Sequence, residues 1–425
     1  MRRASAAHAA EPADIQTRAR AALDRRLRSD AQAPIAVCFS GGGDSLALLL
    51  TASGWAQAHG RRLIALHVDH QLQPQSAAWA AWCAEAAARL DVPFRTLAWR
   101  GEKPVRGLPA AARLARHRLL AKAAREAGAR VMLLGHTADD LSETLAMRAE
   151  GSTTPLAREW GPSPVWPEGR GVFLLRPLLA LERAEIRAWL TALGESWIDD
   201  PANADLRYAR ARARAAGAQG GARAEPLGPG TADIARAVTL EAGDVMRVER
   251  DRLGQAAPEA AHAFLSAACL CAGGGERPPR GERVEALAAR LRGEAGVIAT
   301  LAGARIEADG ESVWLTREAG EAARGGLAEM AIPAGARLVW DGRYEICTPE
   351  PAAIRRLAGA AARLSPGQQR ALSAIRAGAR GALPLIVAGE AVHSPLLGPS
   401  AASAAFLAHA RLLAACGAVE REPDR

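Results

Sequence analysis

The apolar run Ile35-Ala36-Val37-Cys38-Phe39 passes directly through Ser40-Gly41-Gly42-Gly43-Asp44-Ser45 into Leu46-Ala47-Leu48-Leu49-Leu50. This order predicts an interior strand, a glycine turn and the first turn of a helix. Glycines let the main chain approach a ligand closely and adopt positive φ, and N–H groups at a helix start point toward an anion. The chain is therefore expected to hold nucleotide phosphates, with Ser40 and Ser45 adding hydroxyl donors at the rim. Asp44 is the odd member, since a carboxylate repels phosphate oxygens unless a cation lies between them. Mg²⁺, held by a carboxylate plus phosphate oxygens, is the expected cation, with Asp44 as its ligand. The competing reading is a simple helix cap, but a cap needs one polar residue and not three successive glycines. The spacing fits neither the Walker A loop nor the dinucleotide fingerprint.

The same strand–turn–helix grammar repeats. Arg62 to His70, Val92 to Trp99 and Arg130 to His136 read as further strands, with helices over about 76–90, 109–127 and from Ala138. Alternation at this spacing specifies a parallel sheet covered by helices on both faces, with ligands at the C-terminal strand ends. Phe173 to Leu178 reads as another strand and Glu182 to Leu193 as a helix. The expected fold is α/β: an N-terminal Rossmann-like domain over 1–216, a glycine- and proline-rich linker over 217–230, a mainly helical middle domain over 231–322, and a small α+β domain over 323–425. Within the middle domain, Val297 to Thr316 reads as a hairpin.

Bulk properties narrow the function. Lys and Arg outnumber Asp and Glu by 54 to 46, a formal charge of +8 that suits a polyanionic partner. No run of roughly 18 apolar residues is present, so no membrane span is expected and a cytoplasmic location follows. Six cysteines are scattered, several in apolar runs, and none form C-x-x-C; reduced thiols are expected rather than a disulfide framework.

Two further clusters carry chemistry. His67-Val68-Asp69-His70 ends the second strand, where a base or ribose would lie; alternate side chains of a strand face opposite ways, so the three ligand-type residues do not converge on a metal without a bend. Gly135-His136-Thr137-Ala138-Asp139-Asp140-Leu141-Ser142-Glu143-Thr144 places Asp140 and Glu143 at i and i+3 on one helix face. Paired carboxylates require a cation, either a metal or an ammonium group; a solvated acidic first turn is the bland alternative. Arg207, Arg210, Arg212, Arg214 and Arg223, with Tyr208 interleaved, lack acidic partners at i,i+4 and suggest contact with an RNA backbone; a solvated helix is the bland alternative.

With these residues in place, the first 215 or so positions resemble the tRNA(Ile)-lysidine synthases, PP-loop enzymes of the N-type ATP pyrophosphatase superfamily. The resemblance rests on an ordered series: the loop at Ser40 to Ser45, H-V-D-H-x-L at His67 to Leu72, A-R-x-x-R at Ala112 to Arg116, G-H-x-x-D-D-x-x-E-T at Gly135 to Thr144, R-P-L-L at Arg176 to Leu179, and W-I-D-D-P-A-N at Trp197 to Asn203. Past the linker it is thinner, resting mainly on Leu301 to Arg305 and Trp340 to Arg343.

The resemblance implies a two-step ligation. ATP adenylates the C2 oxygen of the wobble cytidine in a tRNA(Ile) with a CAU anticodon, and free lysine then displaces AMP to give lysidine. It implies catalytic roles for Asp44, Arg113, Asp140 and Glu143: Asp140 and Glu143 would hold the lysine ammonium, and Arg113 would steady the cytidine or developing negative charge. ATP and Mg²⁺ are the implied cofactors, with Ser40, Gly41, Gly42, Gly43, Asp44, Ser45, His67, Asp69, His70, Gly135 and His136 lining the nucleotide site. Gln73, Thr137, His117, Glu150 to Thr154 and Ala211 depart from the family pattern; these changes touch RNA or base placement more than adenylation. A PP-loop tRNA thiolase would normally bring C-x-x-C, and a non-catalytic nucleotide- or RNA-binding protein would not need Asp44, Asp140 and Glu143 together. Whether the chain forms a homodimer is left open.

Overall fold

The computed structural model describes residues 12–152, 154–201, 209–217 and 230–424. They divide into two compact units, one of residues up to 217 together with 419–424, the other of residues 230–418.

The first unit contains α1 (Pro12–Arg26), β1 (Ile35–Cys38), α2 (Gly43–Ala58), β2 (Leu63–Asp69), α3 (Ser76–Ala88), β3 (Phe94–Ala98), α4 (Leu108–Glu126), β4 (Val131–Leu133), α5 (Ala138–Ala149), β5 (Trp160–Pro162), β6 (Phe173–Leu175), α6 (Arg183–Ala192) and α7 (Ala209–Ala215). Its six strands run in the order β3-β2-β1-β4-β6-β5. All neighbours are parallel except the β5–β6 edge pair. Ile35 pairs with Leu63 on one side and Val131 on the other, so the strand order reverses at β1. The crevice beyond the C-terminal ends of β1 and β4 is therefore the topological switch point, where such sheets bind ligands.

Alternation along the strands builds both faces. Ile35 and Val37 join a core with α1, α2, α3 and α6 through Leu23, Leu48, Ala86 and Ile186, whereas Ala36, Leu66, Met132 and Leu174 pack on Leu120, Ala121 and Ala124 of α4. Helix α2 is apolar on more than one side, with Leu46, Ala47, Leu48, Leu49 and Ala52 all buried. Each such leucine contributes about 1.5–3 kcal/mol of burial, which fixes the glycine loop at the helix start onto a rigid support. The first unit is the expected Rossmann-like α/β layer structure. The edge strand β5 and helix α1 were not expected.

The second unit opens with α8 (Thr231–Arg236), β7 (Thr239–Glu241), β8 (Val245–Glu249), α9 (Arg250–Gln255), α10 (Pro258–Ala272), α11 (Gly281–Gly293), β9 (Val297–Leu301), β10 (Ala304–Ala308) and β11 (Ser312–Arg317). The stretch 231–322 thus holds four helices and also an antiparallel sheet, β7-β8-β11-β10-β9, of which the expected hairpin is the β9–β10–β11 part. Next come β12 (Met330–Ile332), β13 (Arg337–Trp340), β14 (Tyr344–Cys347), β15 (Ala352–Arg356), α12 (Pro366–Ser373), α13 (Ala377–Arg380), β16 (Pro384–Ala388), β17 (Ala391–His393), β18 (Ser403–Phe406) and α14 (Ala408–Ala415). They form a four-stranded sheet, β12-β15-β16-β17, and a three-stranded one, β13-β14-β18. No described helix is long and apolar enough to cross a membrane, and all six cysteines are free thiols.

Candidate active site

The glycine loop is built for close approach. Gly41 has φ of +88°, and a Cβ there would lie 2.4 Å from Ile198 Cδ1 and 2.9 Å from Cys83 Sγ. The Ile198 amide donates to the Gly41 carbonyl at 3.0 Å, so Ile198, within the W-I-D-D-P-A-N element, braces the loop; Ala202 and Asn203 of that element lie outside the described residues. Ser45 Oγ donates to the Gly42 carbonyl at 2.8 Å and accepts from the Ser40 amide at 3.2 Å, tying the turn's two ends together. Gly42 caps α2 without a side chain, so the cap contributes no acceptor for the first-turn amides. Gly135, just after β4, packs so closely on this helix start that a Cβ would lie 3.0 Å from the Asp44 carbonyl oxygen.

Beside the loop, four carboxylates gather on one guanidinium. Arg183, the first residue of α6, donates through Nε to Asp44 Oδ2 at 3.1 Å and through Nη1 to Glu143 Oε1 at 3.0 Å. Its Nη2 lies 3.7 Å from Asp140 Oδ2, and its backbone amide donates to Asp139 Oδ2 at 2.8 Å. Burial opposes the charge on Arg183, but Asp44, Asp140 and Glu143 outweigh it and hold its pKa above the ordinary value. Burial pushes the Asp44 carboxyl up, against the pull of Arg183. Glu143 is fully buried; besides Arg183 it accepts from Arg214 Nε at 2.8 Å, and its Oε2, without a hydrogen bond, lies 3.4 Å from Arg210 Nε. Asp140 Oδ2 also accepts from the Thr137 amide at 2.9 Å, closing the N-terminus of α5. The acidic first turn thus serves the helix and the cluster at once.

The remaining predicted residues surround this centre. His67 is buried, and its Nδ1 lies 2.9 Å from the Phe39 carbonyl oxygen. A carbonyl only accepts, so Nδ1 carries the proton and Nε2 is left as an acceptor; burial keeps the ring neutral. Asp69 Oδ1 accepts from the Gln71 amide at 2.8 Å, and His70 meets Trp99 edge-on. The three residues take three separate partners, and among the described residues no group of three or more His, Cys, Asp or Glu is arranged to hold a metal ion. His136 Nδ1 accepts from Arg176 Nε at 2.8 Å. Arg113, on α4, is lowered to about 10, first by burial and then by Arg116 and Arg210; Arg176 is likewise lowered to about 10. Arg113 and Arg116 on α4 and Arg176 just after β6 all feel the Asp140 charge and make this part of the crevice strongly positive.

The arginines read as an RNA-contacting run divide by helix geometry. Arg210 and Arg214, at i and i+4 on α7, turn inward onto Asp140 and Glu143. They do have acidic partners, but from a helix some 70 residues earlier in the sequence, |i−j| being 71 for Arg214 and Glu143. Arg212 is exposed, and Arg207 and Arg223 lie outside the described residues.

A family model described as a PP-loop domain matches residues 14–217, the segment that builds this crevice. A tRNA(Ile)-lysidine synthase of Caulobacter vibrioides is 55% identical over 370 residues, 87% of each chain. The chain belongs to the tRNA(Ile)-lysidine synthase family. Further synthases of the family, from Rhizobium meliloti and Ruegeria pomeroyi, are 37% and 33% identical over 75% and 80% of this chain and 74% and 84% of their own. Among solved structures, a U34-tRNA thiolase, NcsA of Methanococcus maripaludis with its [4Fe-4S] cluster, superposes with a TM-score of 0.42 at 17% identity, over 48% of this chain and 73% of that one. As a member of the synthase family the chain is an ATP-using enzyme of the PP-loop class.

Two residues at the centre escaped the sequence reading. Arg176 lay in the R-P-L-L element without a role, and Arg183 was not singled out at all. One signal was available for Arg183: a cation at the first position of a helix opposes the helix dipole and calls for a compensating partner.

Proposed function

We propose that this chain ligates free lysine to C2 of the wobble cytidine of a CAU-anticodon tRNA(Ile), in two steps. In the first, the cytidine C2 oxygen attacks the α-phosphorus of ATP, the bond to the β-phosphate breaks and pyrophosphate leaves. In the second, the lysine ε-amine attacks C2, AMP departs, and the nitrogen gives up its protons to give lysidine. The observation that carries this reading is the meeting of Asp44, from the phosphate loop, with Asp140 and Glu143, from α5, on a single cation.

The main-chain amides of Gly42, Gly43 and Asp44 would hold the departing phosphates, a preorganised electrostatic role worth about 10²–10³ in rate for one donor in other enzymes. His67, Asp69 and His70 would line the base and ribose, and Gly135 would let β4 pass close to the loop. Asp44, partly buried and already met by the Arg183 guanidinium, is a single carboxylate of the kind that holds Mg²⁺ together with phosphate oxygens; Mg²⁺ held there would offset phosphate charge when bound. Glu143 and Asp140 would receive the lysine ammonium, and Glu143 would accept a proton as the amine becomes nucleophilic. Arg113, flanked by Arg116 and Arg176, would face the charge developing on the base. We assign adenylation to 1–216 and recognition of the tRNA body to 231–322 and 323–425, with Arg207 and Arg212 as backbone contacts; the reaction belongs in the cytoplasm.

The test is incubation with ATP, Mg²⁺, labelled lysine and unmodified tRNA(Ile). Label should enter the tRNA in a form that survives alkaline hydrolysis of 3′ esters. Asp44→Ala should abolish tRNA-dependent pyrophosphate release. Glu143→Ala should retain pyrophosphate release and lose lysine incorporation by about 10²-fold or more, the scale of a lost acid–base group. Equal loss of pyrophosphate release in both variants would overturn this division of roles.

A further inference from the structure

The carboxylates that the proposed reaction assigns to Mg²⁺ and to lysine are already satisfied by a cation belonging to the protein. Arg183 spans them: Nε on Asp44 and Nη1 on Glu143, with Nη2 toward Asp140. The Arg183 side chain is only 14% exposed, and Glu143 is not exposed at all. An entering ammonium would meet an occupied site, because a fully buried carboxylate with three guanidiniums around it has little remaining demand for positive charge.

The bridge is also asymmetric in reach. Asp44 hangs from the loop side of the crevice and Glu143 from α5, and one planar fork serves both. Asp139 anchors the Arg183 backbone amide at 2.8 Å, so the side chain can swing while its Cα stays fixed at the N-terminus of α6. Anything that satisfies Asp44 from the phosphate side therefore releases one end of the fork.

We propose that Arg183 is a positioning residue that couples the two substrate sites: it keeps Glu143 closed to lysine until magnesium-bound nucleotide takes over Asp44. This rests on the assignment of Asp44 to the metal and Glu143 to the ammonium. Once Asp44 is engaged, the Arg183 guanidinium is free to turn toward the phosphates, and Glu143 loses one of its neutralising partners. Lysine then binds at a carboxylate that needs it. Such a device would hold the amine out of the crevice until ATP is in place.

The test is calorimetric titration of lysine into the intact protein, with and without Mg²⁺ and α,β-methylene-ATP, which cannot be cleaved between its α and β phosphates. Wild-type protein should bind lysine at least about tenfold more tightly when the nucleotide is present, within the usual range of coupling between sites. By reciprocity, lysine should tighten the nucleotide by the same factor. Arg183→Gln should bind lysine with equal affinity in both conditions, and more tightly than wild type without nucleotide. Arg183→Lys keeps a cation at this position but cannot bridge Asp44 and Glu143, so it too should lose the coupling while melting close to wild type. A structural ion pair alone would weaken both ligands and leave their coupling intact. Coupling that persists within twofold in both variants overturns this proposal and leaves the ligation reading standing. Failure of wild-type protein to bind lysine in either condition, with nucleotide binding normal, overturns the assignment of Glu143 and the proposal with it.

Discussion

His117 is 3% exposed and neither of its ring nitrogens has a partner, in a position where the family resemblance leads one to expect an aromatic ring. Burial first, then Arg116, Arg113 and Arg176, lower it from 6.5 to about 3. It is therefore neutral in the folded protein around neutral pH. The unfolded chain takes up a proton below about 6.5 that the folded chain refuses, so the stability present above that pH is progressively lost as the pH falls toward 3, with a slope of about 1.4 kcal/mol per pH unit. Replacing His117 with Phe removes both the unpaired nitrogens and this slope. His117→Phe should gain about 1 kcal/mol at pH 7, seen as a rise of about 2–4 °C in melting temperature, and should show a shallower acid decline between pH 6 and 4. Residues such as Asp44, Asp140 and Glu143 were legible because each sits in a motif whose charge pattern makes no sense without a cation. Arg183 was not, because its meaning lies in partners 139 and 40 residues away.

At the scale of elements, the site depends on how closely β4 approaches α2. Gly135 does not need a positive φ, yet a Cβ there would press on the Asp44 carbonyl at 3.0 Å and on Ser45 Cα at 3.2 Å. Gly135→Ala should push the helix start outward by a few tenths of an ångström. We expect roughly tenfold weaker binding of an ATP analogue by calorimetry, with a stability change within about 1 kcal/mol. The alternation of strands and helices was readable because the parallel strands are continuous apolar runs and the helices between them are long. Strands β5 and β7, of three residues each, are too short to show a period of two. Helix α1 buries Ile15, Ala19 and Leu23 at helical spacing, a pattern hidden in an alanine- and arginine-rich sequence where few residues distinguish one face from another. The arginines of α7 show the same limit: i and i+4 spacing could be counted, but the acidic helix they face could not.

At the scale of the molecule, residues 419–424 belong to the first unit although 230–418 intervene in the chain. Glu422 is buried and forms a bidentate pair with Arg61, Nη2 to Oε1 at 2.8 Å and Nη1 to Oε2 at 3.0 Å, and also accepts from the Arg28 amide at 3.0 Å. The Trp160 indole donates to the Val419 carbonyl at 2.7 Å, and Arg26 Nη1 to that of Glu420 at 2.7 Å. The side chains of Arg61 and Glu422 are 2% and 0% exposed, so losing one partner strands a buried charge. Glu422→Ala should cost about 3–5 kcal/mol, read as a lower denaturation midpoint, with the affinity of the remaining folded protein for α,β-methylene-ATP unchanged.

That tail has a consequence for how the protein is made. A nascent chain lays down the sheet, the glycine loop and Arg61 early, yet the carboxylate that neutralises Arg61 emerges only after the whole second unit has been translated. A chain that stops short of residues 419–424 leaves Arg61 in its interior without its carboxylate, so the sheet that carries the glycine loop is correspondingly less stable until synthesis is complete.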